Sequence, residues 1–454
     1  MTIDERLHPD RLFPAEERTR AVARELHELV AEKPIVSPHG HVDPRLLLDD
    51  LAYTDPATLL VSSDHYVTRL LHAAGVPLTE LLGDVDPRTV WRLFCEHWHL
   101  FHGTASGFWL RETLGTVLGQ RGAPTADTYD ELVDVLASPR LRPRALFESF
   151  AIDVLATTDD PLDDLAVHDA LRADPTFPGR VIPTFRPDAY LDPALSGWSD
   201  RVDQLGARDY DGYLAKLRER REYFIEHGAV SADFGVVQPA ALELDRGAAT
   251  ALFERARSGR LDGGEAETFR AHMLFESARM SVDDGLVMTV HAGVRRNHHT
   301  ETTARFGPDT GHDIPVDTSF TDNVRPLMER FGTAEGFHLV LFAVDESVWS
   351  RELAPLAGFY PSVYIGAPWW FLDAPDSIAR FRAATTETAG FYRGSGFIDD
   401  TRAFLSVAAR HAMSRRIDSA YLARLVVEGR ISLAEATRVA TDLVGSIPRQ
   451  AFKL

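Results

Sequence analysis

The sequence predicts an α/β chain of the (β/α)8 TIM-like barrel type, with a helical insertion after the first strand. Three observations carry this. Eight short apolar runs are spread along 454 residues, and most are near-continuous rather than alternating, as strands covered on both faces are. Segments of helical periodicity separate them, and strand–helix order repeated along a chain is that of a closed parallel sheet. Apolar residues make up 44% and charged residues 26% of the chain, enough for one large core.

In chain order the runs are 34–42 (PIVSPHGHV), 149–158, 180–187, 229–236, 286–293, 338–344, 362–370 and 395–400 (SGFIDD). Helical patterns fall between them, as at 209–227, 266–284 and 376–393. The spacing is uneven. Residues 43–146 are mostly helical in pattern and rich in His and Trp, and they read as an insertion packed over the barrel mouth. The expected division is therefore 1–42 (N-terminal helix and first strand), 43–146 (insertion) and 147–454 (the rest of the barrel). Two amphipathic helical stretches, 402–428 and 432–444, close the chain, and GPDTGHDIPVD (307–317) reads as a lining loop or lid.

Composition removes several functions. Lys+Arg is 48 against 68 Asp+Glu, a net charge of −20, which opposes nucleic acid and anionic membranes. A small anionic substrate would need local arginines. One cysteine, Cys95, excludes a disulfide framework, a Cys-rich zinc site and a CxxC motif. The N-terminus is charged and no run approaches the ~18 apolar residues of a membrane span, so a cytoplasmic enzyme is expected. Lys33, Lys216 and Lys453 are the only lysines. None lies in a strand-like run, which argues against a Schiff base and a lysine-bridged metal pair. No P-loop, GxSxG or GxGxxG motif is present.

Barrel active sites form at the C-terminal ends of strands. The polar residues there are His39 and His41, Thr157–Asp159, Arg186, Asp233, His291, Asp345, Trp369 and Asp400, with Arg402 just beyond. His39-Gly40-His41 is the sharpest feature. On a strand, i and i+2 share a face, so both imidazoles can reach one ion. Asp400, on the last run, is the natural third ligand of an open zinc-type site. An HxH pair alone is weak, and its place on the first predicted strand gives it weight. In the insertion, Asp64-His65-Tyr66 starts a helix and can project His65 and Tyr66 over the mouth as proton carriers. Arg186 and Arg402 suit a substrate carboxylate, although each is also suited to a plain salt bridge. Trp369 suits a sugar face, and His291 a ligand or proton carrier.

These segments together resemble the uronate isomerase (glucuronate/galacturonate isomerase) family, a branch of the amidohydrolase superfamily. The likeness covers nearly the whole chain. It runs through HGH, SDHYVTRLL, TTDDPLDDL, VIPTFRPD, HAGVRRN, GPDTGHD, GAPWWF and DDTRAFLS, in that order. It implies that His39, His41 and Asp400 belong to a metal site. It further implies that His65, Tyr66, Arg186, His291, Trp369 and Arg402 line the substrate pocket, and that Asp233 is a family aspartate. Departures also occur. The family's SDHG reads Ala232-Asp233-Phe234-Gly235 here, so Phe234 replaces a histidine, and Ser37-Pro38 precede HxH in place of an aspartate and an aromatic.

The expected reaction is an aldose–ketose isomerisation of a hexuronate, with a proton moved between C2 and C1. That step needs a positioned base and a group to stabilise the enediolate. A divalent metal, zinc by donor type, is the expected cofactor, and a small acidic sugar the expected partner. Alternatives are a mononuclear metal-dependent hydrolase on the same site, or an isomerase of another acidic sugar. A homo-oligomer is compatible with the sequence.

Overall fold

The computed structural model describes residues 7–454. Seven parallel strands are formed: β1 (Ile35–Ser37), β2 (Ile152–Ala156), β3 (Arg180–Ile182), β4 (Ser231–Val236), β5 (Val287–Ala292), β6 (Leu339–Ala343) and β7 (Val363–Ile365). They pair in chain order as β1-β2-β3 and β4-β5-β6-β7. A parallel bridge from Phe185 to Ala232 joins the two groups. At the closing seam, Gly394 bridges to Ile365, and the His41 N–H donates to the Thr401 carbonyl at 3.0 Å.

The eighth run, expected as a strand at 395–400, takes the eighth staveʼs place without regular strand structure. Its own backbone explains why. Gly396 has φ +77°, with a Cβ position 2.9 Å from Pro448 that only glycine leaves open, and Asp400 has φ 41°. Both conformations leave the extended region.

Strand alternation separates two cores. Val36, Val154, Ala156, Ile182, Val340, Phe342 and Tyr364 belong to small interior clusters, which include the C-terminal Leu454. Ala232, Phe234, Met288, Val290, Leu339, Leu341 and Ile365 instead belong to the large cluster shared with the surrounding helices. In register, Asp233 lies beside Thr289 and Gly235 beside His291. The inward row of β4 and β5 is therefore polar towards its C-terminal end, where a site is built in this fold.

Between β1 and β2 the chain forms short helices, among them α2 (His65–Ala73) and α3 (Ala105–Glu112), and these share an apolar cluster with Ile35, Ile152 and Leu155. After β5, Gly293 (φ +97°) turns the chain into a short antiparallel ribbon, Val294–Arg295 with Ile314–Pro315. At the other extreme of the sequence, α4 (Ser406–Val427) packs on α1 (Glu17–Val30), with α5 (Leu433–Val444) beside both. A further short helix, Ser446–Phe452, follows the two expected C-terminal ones. No helix among the described residues is long and apolar enough to cross a membrane.

The α1–α4 contact makes a testable pH element. Burial, aided by the nearby Arg416 guanidinium, lowers His27 to about 4. The unfolded chain takes up this proton near pH 6.5, whereas the fold refuses it down to about 4, so stability falls as pH drops through that window. At pH 5 the expected loss is on the order of 1 kcal/mol after allowing for solvent access. Thermal denaturation at pH 7 and pH 5 checks it: His27→Gln should lose less Tm on acidification than the wild type, and equal losses would refute it.

Candidate active site

The residues expected at the site lie around one cavity of about 300 Å³ at the mouth of the barrel. His39, His41, His65, Tyr66, Arg186, Asp233, His291, Trp369, Asp400 and Arg402 all line it. Thr157, Asp159 and Asp345, which were also read off strand ends, do not. Thr157 bonds instead to Asp159 and His168 within the fold (2.7 and 2.8 Å), and Asp345 accepts the Ser347 N–H at 2.9 Å. Both are local structural roles.

His39 and His41 follow the end of β1. They are held there because the Thr158 hydroxyl donates to the Gly40 carbonyl at 2.8 Å and His41 bonds across the seam to Thr401. Since β1 ends at Ser37, strand alternation no longer governs these two residues. Their rings stand nearly perpendicular (84°), the His39 side chain is buried and His41 is partly exposed. His39, His291 and Asp400 form a donor group whose ligand atoms lie within 4.8 Å of one another. The expected trio had His41 in place of His291. His41 approaches this group through Asp400, with Nε2 3.0 Å from Oδ1.

Several atoms here are buried yet have no aligned hydrogen-bond partner: His39 Nδ1, His291 Nε2, Asp400 Oδ1 and Asp233 Oδ2. Orphaned polar atoms in a fold are otherwise rare. A converging set of free N and O donors is what a divalent cation of the zinc type accepts, so the residues fit a metal.

Asp233, fully buried on β4, sets the orientation behind this group. It accepts Thr289 Oγ1 and His291 Nδ1, both at 2.7 Å on Oδ1, and faces Arg186 Nη1 at 3.4 Å. The His291 proton is thereby held at Nδ1, leaving Nε2 as a lone pair towards the cavity. Burial alone would raise the Asp233 carboxyl, but His291, His39 and Arg186 hold it well below the usual carboxylate range. Asp400 is likewise held well below that range by His39 and His41, against the effect of burial. Burial pushes the Tyr66 phenol well above the ordinary tyrosine value. At neutral pH the site thus contains an ionised carboxylate, Asp400, beside a neutral phenol, Tyr66.

The helical segment between β1 and β2 delivers His65 and Tyr66 through a helix start: the Asp64 carboxylate caps α2 by accepting the Tyr66 N–H at 2.8 Å. The two rings stack at 4.5 Å. Trp369 stands edge-on to His291 at 4.8 Å, with its indole N–H unpartnered. Arg186 donates to Asp188 at 3.0 Å.

Arg296, Asn297 and Asp309 are among the cavity residues that were not singled out in the sequence. Arg296 pairs with Asp313 at 3.0 Å and lies over the Trp370 ring at 5.0 Å. Asp309 reaches Arg402 at 3.2 Å. The signals were the motifs HAGVRRN and GPDTGHD, the second already read as a lining loop. Phe234 is fully buried in the outer core, because it alternates with inward-facing Asp233. It does not line this cavity, although it borders a separate one behind Arg186 and His291.

The family model described as glucuronate isomerase matches residues 17–448. The chain is a member of that family. The uronate isomerase of Corynebacterium efficiens is 48% identical over all of both chains, and that of Rhizorhabdus wittichii 50% identical over 99% of each. Among solved structures, the glucuronate isomerase from Caulobacter crescentus superposes with a TM-score of 0.97 at 42% identity, covering 99% of this chain and 98% of that one. The uronate isomerase from Thermotoga maritima does so with a TM-score of 0.93 at 26% identity, covering 98% and 99%. This glucuronate isomerase family member therefore shares its fold over its whole length with solved relatives. A metal-dependent hydrolase from Lactobacillus casei shares the fold more distantly, with a TM-score of 0.58 at 15% identity.

Proposed function

We propose that this family member interconverts a hexuronate aldose and its ketose: D-glucuronate with D-fructuronate, D-galacturonate with D-tagaturonate, or both. The observation that carries the reading is one cavity lined both by a carboxylate–imidazole–phenol set and by the guanidiniums Arg186, Arg296 and Arg402. The first set suits proton transfer and the second suits a uronate carboxylate and hydroxyls. The net change moves one proton from C2 to C1 and one from O2 to O1, with no external oxidant.

Asp400, ionised and aimed into the cavity, is suited to take the C2 proton and return it to C1. Tyr66, neutral at working pH, is suited to give a proton to an oxygen, with His65 beside it. Arg402 and Arg186 stabilise negative charge on substrate oxygens, and Trp369 offers an indole face and a free N–H. His39, His291 and Asp400, with His41 adjoining, would hold a divalent cation, for which we favour zinc. Bound there, it would supply Lewis-acid polarisation of a substrate oxygen. The setting we favour is the cytoplasm, in keeping with a single unpaired thiol, Cys95, pushed up to about 12 by burial.

Proton NMR of the protein with D-glucuronate, then D-galacturonate, in D2O with and without added zinc tests this. The expected result is the matching ketose, with deuterium at the carbon that receives the proton. Folded, zinc-loaded protein that leaves both sugars unchanged would overturn the substrate assignment and direct attention to other acidic sugars and to hydrolase substrates.

A further inference from the structure

Asp400 has φ 41°, in the left-handed region that, glycine apart, chiefly asparagine and aspartate enter, as single residues. A conformation of that kind persists only where its surroundings over-determine it. Both neighbours of Asp400 are tied down. The Asp399 carboxylate meets His411 Nε2 at 3.0 Å, and its carbonyl accepts Arg410 Nη1 at 3.4 Å. The Thr401 carbonyl accepts the His41 N–H, and the Thr401 hydroxyl meets Ser406 Oγ at 3.1 Å. Ser406 Oγ in turn accepts Arg410 Nε at 3.1 Å.

Arg410 reaches both neighbours, Asp399 directly and Thr401 through Ser406. It projects from the first turns of α4, is 1% exposed, and donates to Asp373 Oδ2 at 2.8 Å. Its guanidinium lies 3.5 Å from the centre of the Trp109 ring, on α3, and 5.7 Å from that of Tyr66. Trp109 meets Tyr66 edge to face at 5.7 Å. One buried cation thus reaches the segment carrying Asp400 and the aromatic wall carrying Tyr66.

Stability alone is a poor explanation for this pair. A buried ion pair seldom outperforms well-packed apolar residues, and Asp373 Oδ1 is left without a partner. We propose that Arg410 is a positioning residue for the isomerisation. It braces the left-handed backbone at Asp400 from behind and stacks against the wall that holds Tyr66, so that carboxylate and phenol keep one mutual placement. The inference rests on the functional reading given above. A displacement of about 1 Å in such a pair can lower turnover by about 10²-fold, and supports behind a metal ligand change metal affinity by about 10–100-fold.

Arg410→Lys keeps the charge beside Asp373 but has no planar fork to reach Asp399 and Ser406 while stacking on Trp109. Folding is checked by circular dichroism, zinc affinity by competition with a chromophoric chelator, and kcat and KM on the hexuronate that the wild type converts. The expected result is folded protein with KM within about threefold of the wild type, kcat lower by about 10–100-fold and zinc held about tenfold more weakly. Folded Arg410→Lys with wild-type kcat and zinc affinity overturns the proposal, as does a loss confined to KM. Should that variant not fold, Ser406→Ala removes only the hydroxyl between Arg410 and Thr401. A severalfold fall in kcat at unchanged KM then supports the brace, and wild-type kcat overturns it. Failure of the wild type to convert either hexuronate would count against the functional reading, while the zinc comparison between wild type and variant would still decide the brace.

Discussion

Asp400→Asn is expected to fold and to lose turnover by about 10³-fold or more. Folding should survive because asparagine is nearly isosteric and, with aspartate, is among the side chains that tolerate a left-handed backbone; the native φ is 41°. The activity loss has two sources in one carboxylate. Asp400 Oδ1 lies 3.0 Å from His41 Nε2 and 3.4 Å from His39 Nε2 and belongs to the donor trio with His39 and His291. An amide has no negative charge to offer a cation and is far too weak a base to take a carbon-bound proton. kcat with the converted hexuronate, beside a thermal melt, measures both halves. An Asp400→Asn protein turning over at a near-normal rate would remove Asp400 from the chemistry.

Asp233→Asn is expected to lower kcat by about 10²-fold or more, although the residue lies behind His291. The carboxylate can only accept, so the proton of His291 is held at Nδ1, 2.7 Å away, and Nε2 stays free. The variant amide can present its NH2 to Nδ1 instead, which moves the imidazole proton to Nε2 and removes the lone pair facing the cavity. Among the described residues, the change also leaves Arg186 with Asp188 as its one remaining carboxylate partner, at 3.0 Å. Nitrogen-15 NMR of the His291 ring distinguishes the tautomers. A variant with kcat within about threefold of the wild type, or with the His291 proton still at Nδ1, would refute the argument.

These expectations show how unevenly the site was legible in the chain. His39, Asp233, His291 and Asp400 could be found because a parallel barrel collects the residues at the ends of its strands, and apolar runs mark where strands end. The pairing of His39 with His41 followed the same rule, and both imidazoles reach Asp400 Oδ1, at 3.4 and 3.0 Å. The strand stops at Ser37, and beyond it side-chain direction is set by loop contacts such as Thr158 to Gly40. Phe234 was legible only as a departure from the family motif. Its face follows from register, and register is visible only once Asp233 is seen opposite Thr289. Arg296 and Asp309 sit on the segment after β5, whose path over the mouth has no periodicity to read. Arg410 lies in a helix rich in arginine, where one-dimensional pattern does not distinguish a buried cation from a solvated one.

The sequence by itself determined the class of the fold, the family and the residue types of the site. Buried parallel strands are written as apolar runs, and the motifs HGH, HAGVRRN and DDTRAFLS are local strings. Only the tertiary structure decided which atoms meet. His291 joins His39 and Asp400 although more than a hundred residues separate each from the next, and Arg410 sits between Asp373, Trp109 and the Asp400 segment. Those encounters depend on closure of the barrel and on α4 packing against α3. Burial then does the rest: it strips water from His39, Asp233 and Asp400, so that each must be satisfied by a neighbour or by a ligand.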